Sequence, residues 1–578
     1  MLKLKQKPKQ LLTLGAAAGL ITGGAVAWLL VQQKPTAVGL PAGSEVLPKE
    51  TIATFSFSTN EGQWQQLRRL GTPESQAMLD RSLADWRDRF LTTNNLNYKR
   101  DIQPWVGEEM TVAFLQPPQA ANSQQVQPYS PASLDAQTPV IVLPIAKPDK
   151  AQQILATPKV SSTQEWVDRD YKGLKIREVH GQAQTAYAAS VIDNRFVVMS
   201  QNPQAVEQVI DVYKGKASIV QAPGYGQAFR QLETTSEPWM RLYLNVPEAT
   251  ALAANNPMQP IPPQAMIPIQ MNQGFAAIGT VDREQVRFQG IGWLPSDSKI
   301  RFRGGNRAEK VPTILPSDSL LMASGSSFEQ FWQTLGQPQE NSPRGQFNPD
   351  LIRQSFNNLT GLDFDKDMVD WMDGEFSLAL IAAPPSGQSP QPRAGVLLLA
   401  QTTDRRKADA AFQKLDKVVG ERYRYQVTEA KLSGQPVVTW VSPFGSLSMT
   451  RGWLDSNVAF LAIGPNLAST ILPASTTPLA QDPLFQGAVS SDLKEKNGQF
   501  FVNLDRLANP NVALPLPKLP ANNQKVVNAI RAIGVTTAIQ DGRTMRYDIE
   551  LQMNKSPKAP GALPAPQISP SASPAPAQ

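Results

Sequence analysis

VLPKETIATFSFSTNEGQWQQL, residues 46–67, and ILPSDSLLMASGSSFEQFWQTL, residues 314–335, carry the same landmarks in the same order. Without a gap, Leu47 and Pro48 fall on Leu315 and Pro316, Trp64 and Gln65 on Trp332 and Gln333, and Leu67 on Leu335. A second block follows in each half, LNYKRDIQPWVGEE (96–109) against LDFDKDMVDWMDGE (362–375). There Trp105 meets Trp371, and Gly107-Glu108 meets Gly374-Glu375 after a one-residue slip. Further on, an apolar run leads into a helical pattern at Val140 and again at Val396. RFVVMSQNPQAVEQVI (195–210) parallels NVAFLAIGPNLASTIL (457–472), and Asn245 parallels Asn503. Ordered recurrence over a long period is the sequence mark of a tandem duplication.

The repeated pattern also predicts a fold class. Many runs alternate apolar and polar residues with period two, as in residues 544–551 (TMRYDIEL), which marks half-buried and mostly antiparallel strands. Asp541-Gly542 signals a hairpin. Between strands lie a few amphipathic helices, such as residues 76–92 with Met78, Leu79, Leu83, Trp86 and Phe90 on one face. The class is therefore α+β, two tandem duplicated domains with mostly antiparallel sheets covered by helices. The expected boundaries are 46–300 for the first repeat, 301–310 for a linker and 311–554 for the second repeat. Residues 555–578, rich in Pro, Ala and Ser, read as a disordered tail.

Ahead of the repeats, residues 11–32 (LLTLGAAAGLITGGAVAWLLVQ) form an uncharged, largely apolar run. That length, about 20 residues, suits one transmembrane helix. Lys3, Lys5, Lys7 and Lys9 precede it without an acid, so residues 1–10 are expected to stay cytoplasmic and the rest to lie across the membrane. A cleaved signal peptide is the alternative, with Ala25-Val26-Ala27 as its site, but the apolar run continues through Trp28 to Val31. Gly15, Gly19 and Gly23 recur on one helix face, a spacing that suits either homodimerisation or the Gly/Ala richness of ordinary anchors. Residues 33–45 read as a linker.

Composition narrows the chemistry. Hydrophobic residues make up 41% and charged residues 18%, as in a globular protein. Lys3, Lys5, Lys7, Lys9 and Lys34 supply five of the net charge of +6, so the remainder is near neutral and does not predict nucleic-acid binding. The chain has no cysteine and one histidine, His180, which excludes thiolate metal sites, cysteine nucleophiles and multi-histidine centres built within one chain. No phosphate loop, dinucleotide fingerprint or G-x-S-x-G elbow occurs.

The V-L-P-x-x-T at Val46, the W-Q-Q-L helix start at Trp64, the G-T-P-E at Gly71 and the W-x-G-E block at Trp105 resemble the family catalogued as domain of unknown function 3352. The resemblance covers nearly all of the chain beyond the anchor and implies an exported bacterial protein. In a cyanobacterium it would face the periplasm or the thylakoid lumen. It carries over no activity and no site residue.

Glu108, Glu109, Asp373 and Glu375 are the acids whose position invites a chemical reading. Paired carboxylates in a cleft would suit glycoside hydrolysis. The structural reading gives Gly a tight turn, Glu the backbone donors and Trp the seam between helix and sheet. DFDKD at 363–367 lacks the glycine and distal glutamate of a calcium loop and reads as a helix cap. The proline-rich apolar stretches 256–271 and 509–520 either cover a core edge or meet a protein partner or lipid. No catalytic, cofactor-binding or metal-ligating residue is assigned. The expected function is a membrane-anchored extracytoplasmic scaffold, assembly or binding protein without catalysis. The alternatives are a carboxylate-dependent hydrolase of an envelope polymer and a carrier of an apolar ligand, which needs a cavity of several hundred Å³. The two copies are expected to share one topology, with Trp64 on Trp332 and Trp105 on Trp371, each largely buried.

Overall fold

A computed structural model describes residues 39–92, 96–116, 139–156, 165–180, 185–232, 237–254, 272–282, 284–335, 349–382, 394–445, 447–473, 475, 477–489, 493–508, 521–556 and 560–566. The expected anchor over 11–32, with Gly15, Gly19 and Gly23, lies outside these residues, as do the proline-rich stretches 256–271 and 509–520. Among the described residues no helix is long and apolar enough to cross a membrane.

Ten strands come from the first half of the chain: β1 (Ala53–Ser58), β2 (Glu109–Phe114), β3 (Val140–Pro144), β4 (Glu165–Tyr171), β5 (Leu174–His180), β6 (Thr185–Ile192), β7 (Phe196–Ser200), β8 (Met240–Asn245), β9 (Gly274–Val281) and β10 (Gln285–Trp293). Ten follow in the second half: β11 (Ser319–Gly325), β12 (Phe376–Ala382), β13 (Ala394–Gln401), β14 (Gln426–Leu432), β15 (Gln435–Val441), β16 (Ser448–Trp453), β17 (Val458–Ile463), β18 (Gly498–Asn503), β19 (Ile530–Asp541) and β20 (Thr544–Met553). All their pairings are antiparallel, and they make one 20-stranded sheet. In space the first half runs β4-β5-β6-β7-β3-β2-β1-β8-β9-β10. The second half repeats that order with every strand number raised by ten. Turn chemistry agrees with the topology. Lys172-Gly173 and Ser433-Gly434 both have positive φ at the tips of the β4–β5 and β14–β15 hairpins, as a type I′ turn requires.

The two halves are joined edge to edge by β10 and β20, in register from Gln285↔Gln552 to Trp293↔Thr544. Buried charges mark the junction. Asp548, 1% exposed, receives hydrogen bonds from Arg287 (2.6 Å) and Arg546 (3.3 Å), and Glu550 lies 3.4 Å from Arg287. The residues from Pro41 onward form a single compact unit in which each half keeps its own core clusters. The expected linkers belong to it. Ser44 (1%) and Ala308 (0%) are buried, and the Asn306 side chain both donates to and accepts from the backbone of Ile539. The tail expected to be disordered also contributes structure, since residues 560–566 lie on the helix Pro73–Phe90.

Removing one partner from a buried ion pair strands the other charge. Asp548→Ala, which takes the carboxylate from Arg546 and leaves Arg287 only Glu550, is expected to lower unfolding stability in urea by about 3–5 kcal/mol. A loss under about 1 kcal/mol, typical of exposed pairs, would show that the junction does not depend on this cluster.

Candidate functional site

Period-two alternation aims Phe55 and Phe57 of β1, Met110, Val112 and Phe114 of β2, and Ile141 and Leu143 of β3 to one face of the first half. The helices Glu61–Leu67, Pro73–Phe90 and Tyr98–Ile102 cross that face without settling onto it. Between sheet and helices lies a cavity of about 720 Å³, walled on the helical side by Trp64, Leu83, Trp86, Leu91, Tyr98 and Ile102. The volume falls within the roughly 300–1,000 Å³ of small-molecule sites, and the lining is predominantly apolar, as such sites require. Burial pushes the Tyr98 and Tyr187 hydroxyls above their ordinary pKa, so both line the cavity as neutral groups. The charged residues Arg68, Arg87, Lys99 and Glu61 also line it, and each pairs with an opposite charge: Arg68 with Asp80 (2.6 Å), Arg87 with Asp88 (2.8 Å) and Lys99 with Glu61 (3.5 Å).

Local contacts hold this roof in place. The Trp64 indole N–H donates to the Ser58 carbonyl at 2.7 Å, and its ring packs edge-on to Trp239 at 5.9 Å. Thr72 and Ser75 form a capping box at the start of the long helix, and the Gly71 N–H just before it donates to Asn554 O at 2.6 Å. At the far end buried Asp101 accepts from Asn97 N at 2.7 Å, and Trp105, fully buried, donates to Asp101 O at 2.6 Å. In the second half aromatic rings take up the corresponding region. Trp332 meets Phe364 at 4.9 Å, Phe356 meets Phe364 at 5.1 Å, and Phe328 meets Phe376 at 5.2 Å. Where β1–β2 pairs Phe57 with Met110, β11–β12 pairs Gly325 with Phe376. Trp332 is accordingly buried at 4%, whereas Trp64, expected to be equally buried, is half-buried because it faces the cavity.

The acids singled out in sequence are dispersed. Glu109 accepts from Ala42 N at 2.9 Å and lies 3.3 Å from Arg241; Glu375 accepts from Lys310 N at 2.8 Å and Val311 N at 2.9 Å. Asp373 binds the N–H and hydroxyl of Thr403, and Glu108 is exposed. β2, which begins at Glu109, stands nine strand pairings from β12, which Glu375 immediately precedes. The ladders also correct the alignment. Ser56↔Thr111 and Ser324↔Ser377 are matching pairs, which places Glu109, not Glu108, on Glu375 with no slip. Both carboxylates hold the segment that enters their own half. Gly107, two residues ahead of Glu109, and Gly374, directly ahead of Glu375, both stand in close approach, since a Cβ on Gly107 would meet Pro144 at 3.1 Å and one on Gly374 would meet Gln401 at 2.9 Å. Asp363 caps its helix through Lys366 N at 3.0 Å, Asp367 is paired with Lys414 at 2.5 Å, and among the described residues no acidic or histidine cluster suits a metal. His180 ends β5, 3.5 Å from Glu178.

Fold and cavity together define an antiparallel α+β protein with an apolar chamber under a helical roof. The chain belongs to the family described as Protein of unknown function (DUF3352), which matches residues 13–553. No curated protein matches it. Among solved structures it is similar to crystal form I of TP0453 at 11% identity, over 45% of this chain and 81% of that one, with a TM-score of 0.24. Form IV of TP0453 aligns at 12% identity over 44% and 81%, with a TM-score of 0.25.

Trp105 sits among Ile141, Leu143, Ala151 and Val197, and Trp371 among Ala400, Ala408, Phe412 and Trp453, each in a seam between sheet and helix. Trp105→Ala and Trp371→Ala are each expected to cost about 3–5 kcal/mol in chemical denaturation. Burial raises the Glu109 and Glu375 carboxyls above their usual value, against the hydrogen bonds that lower them. A raised folded-state pKa means that the folded chain holds the proton more tightly, so this contribution is full below the ordinary carboxylate range and is lost as pH rises through the raised value. Melting of Glu375→Gln across that window should show a shallower decline with pH than the wild type; an unchanged slope would contradict the assignment.

Proposed function

We propose that the chain is a membrane-tethered, non-catalytic binding protein whose first half holds an apolar small molecule. The observation that carries this reading is the chamber of about 720 Å³ between β1–β2–β3–β7 and their helices. Its apolar walls offer dispersion and water exclusion but little to polarise a reacting bond. Support for the tether comes from residues 11–32 and the lysines ahead of them, which suit a single span with the body on the non-cytoplasmic face. The two halves are read as copies of one ten-stranded unit, supported by the landmarks shared in sequence and by strand pairing that repeats at an interval of ten. On this reading the second copy has filled its chamber with Phe364 and Phe376 and serves as structural companion. Nothing comparable supports the hydrolase, since Glu109 and Glu375 are each engaged with backbone donors in different halves.

The test is to purify the full chain from gently solubilised membranes and identify by mass spectrometry any apolar molecule released by organic solvent. The wild type is expected to hold up to one molecule per chain, or to bind N-phenyl-1-naphthylamine saturably. A Met110→Phe/Met199→Phe variant, which narrows the chamber, should lose that binding at a stability change of about 1–3 kcal/mol or less. Undiminished binding in the filled variant, or none in either protein, would sink the proposal.

A further inference from the structure

After β20 the chain turns back along the roof of the first half. Leu70 forms a bridge with Lys555, and Ser556 N donates to Arg69 O at 3.3 Å. Residues 560–566 then cross the long helix Pro73–Phe90. Two arginines hold this crossing by its backbone: Arg68 Nη2 donates to Gly561 O at 2.7 Å, and Arg87 Nη1 donates to Pro564 O at 2.8 Å. Each guanidinium is oriented by an acid of the long helix, Asp80 for Arg68, which precedes that helix, and Asp88 for Arg87, which lies on it, so both donors are preset. Between the two held carbonyls stands Leu563, which lines the chamber and is half-buried while Gly561, Ala562 and Pro564 beside it are exposed. The composition suits this arrangement. Proline supplies no N–H that needs a partner and keeps the segment extended, so a strap held only by its carbonyls leaves few groups unsatisfied.

We infer that residues 560–566 are a strap that closes the chamber, with Leu563 as its stopper and Arg68 and Arg87 as its latch. The inference rests on the reading of the chamber as a ligand site and adds the control of exchange through it. The chamber keeps its volume with the strap in place, so closure does not compete with the ligand for space. Its effect is therefore on rates: a ligand enters and leaves when the strap lifts, and stays while it is latched.

The experiment is stopped-flow mixing of N-phenyl-1-naphthylamine, a neutral probe that brightens in apolar surroundings, with four forms of the anchored protein in detergent. These are the full chain, a chain ending at Ser556, the full-length Leu563→Asp variant, and the Met110→Phe/Met199→Phe variant. Truncation after Ser556 keeps the Leu70–Lys555 bridge, and Leu563→Asp tests the stopper without shortening the chain. For a latch of two hydrogen bonds and one half-buried leucine, association and dissociation should both accelerate at least about tenfold in the truncated and Leu563→Asp proteins. Equal rates in the full and truncated chains, while the filled variant still abolishes binding, would overturn the strap and leave the ligand site standing. Tighter equilibrium binding without faster dissociation would overturn it as well, because it would make the segment a competitor for the chamber. Absence of saturable binding in every form overturns the ligand site itself, and the strap's role with it.

Discussion

The ladder between β10 and β20 is the contact on which the rest of the arrangement depends. Each half alone would end on a long strand with a full row of unpaired N–H and C=O groups, an edge that invites association with any passing chain. Pairing the two edges over the whole of β10 removes both at once. A slip of one residue would send every side chain of the junction to the opposite face, and buried Asp548 and Glu550 oppose such a slip, since it would part them from the half-buried Arg287 and Arg546. Because β20 lies in this ladder, the chain that leaves it emerges beside Gly71, at the start of the helix that roofs the chamber. The strap's reach follows from the ladder.

Buried carboxylates in a protein of unknown role invite a catalytic reading, and here the geometry assigns them elsewhere. Glu109 and Glu375 spend their oxygens on N–H groups of the segments that open each half, and Thr111 adds a bond to Ala42 O at 2.6 Å. The N–H groups of Ala42, Lys310 and Val311 find their acceptors in these side chains, and a buried N–H left without an acceptor is costly. The same need in both halves explains why the same acid stands in both.

Two halves with the same strand order have different interiors, and the difference shows at a single strand pair. Phe57 opposite Met110 leaves the first half open, whereas Gly325 opposite Phe376 lets an aromatic ring swing across and meet Phe328 at 5.2 Å. The helices between the paired strands follow: Leu83 and Trp86 of Pro73–Phe90 face the chamber, while Phe356 of the helix Pro349–Thr360 packs edge-on to Phe364 at 5.1 Å.

Much of the strand content, the helix over residues 76–92, the Asp541-Gly542 hairpin and the seam tryptophans Trp105 and Trp371 were legible in the sequence, because alternation, turn residues and large apolar landmarks are local signals. The contacts of residues 39–45, 301–310 and 560–566 had no sequence signal for the same reason: proline, glycine and alanine look like spacers wherever they fall, and only distant partners such as Glu109, Glu375, Arg68 and Arg87 give these segments their places. The chamber had no sequence signal, since Phe55, Phe57, Met110, Val112 and Ile141 alternate as the residues of any filled core would. A pattern states which face of a strand is apolar. How far the next layer stands from it depends on helix ends pinned by Trp64, Gly71, Asp101 and Trp105, and that distance is decided only when the whole chain has folded.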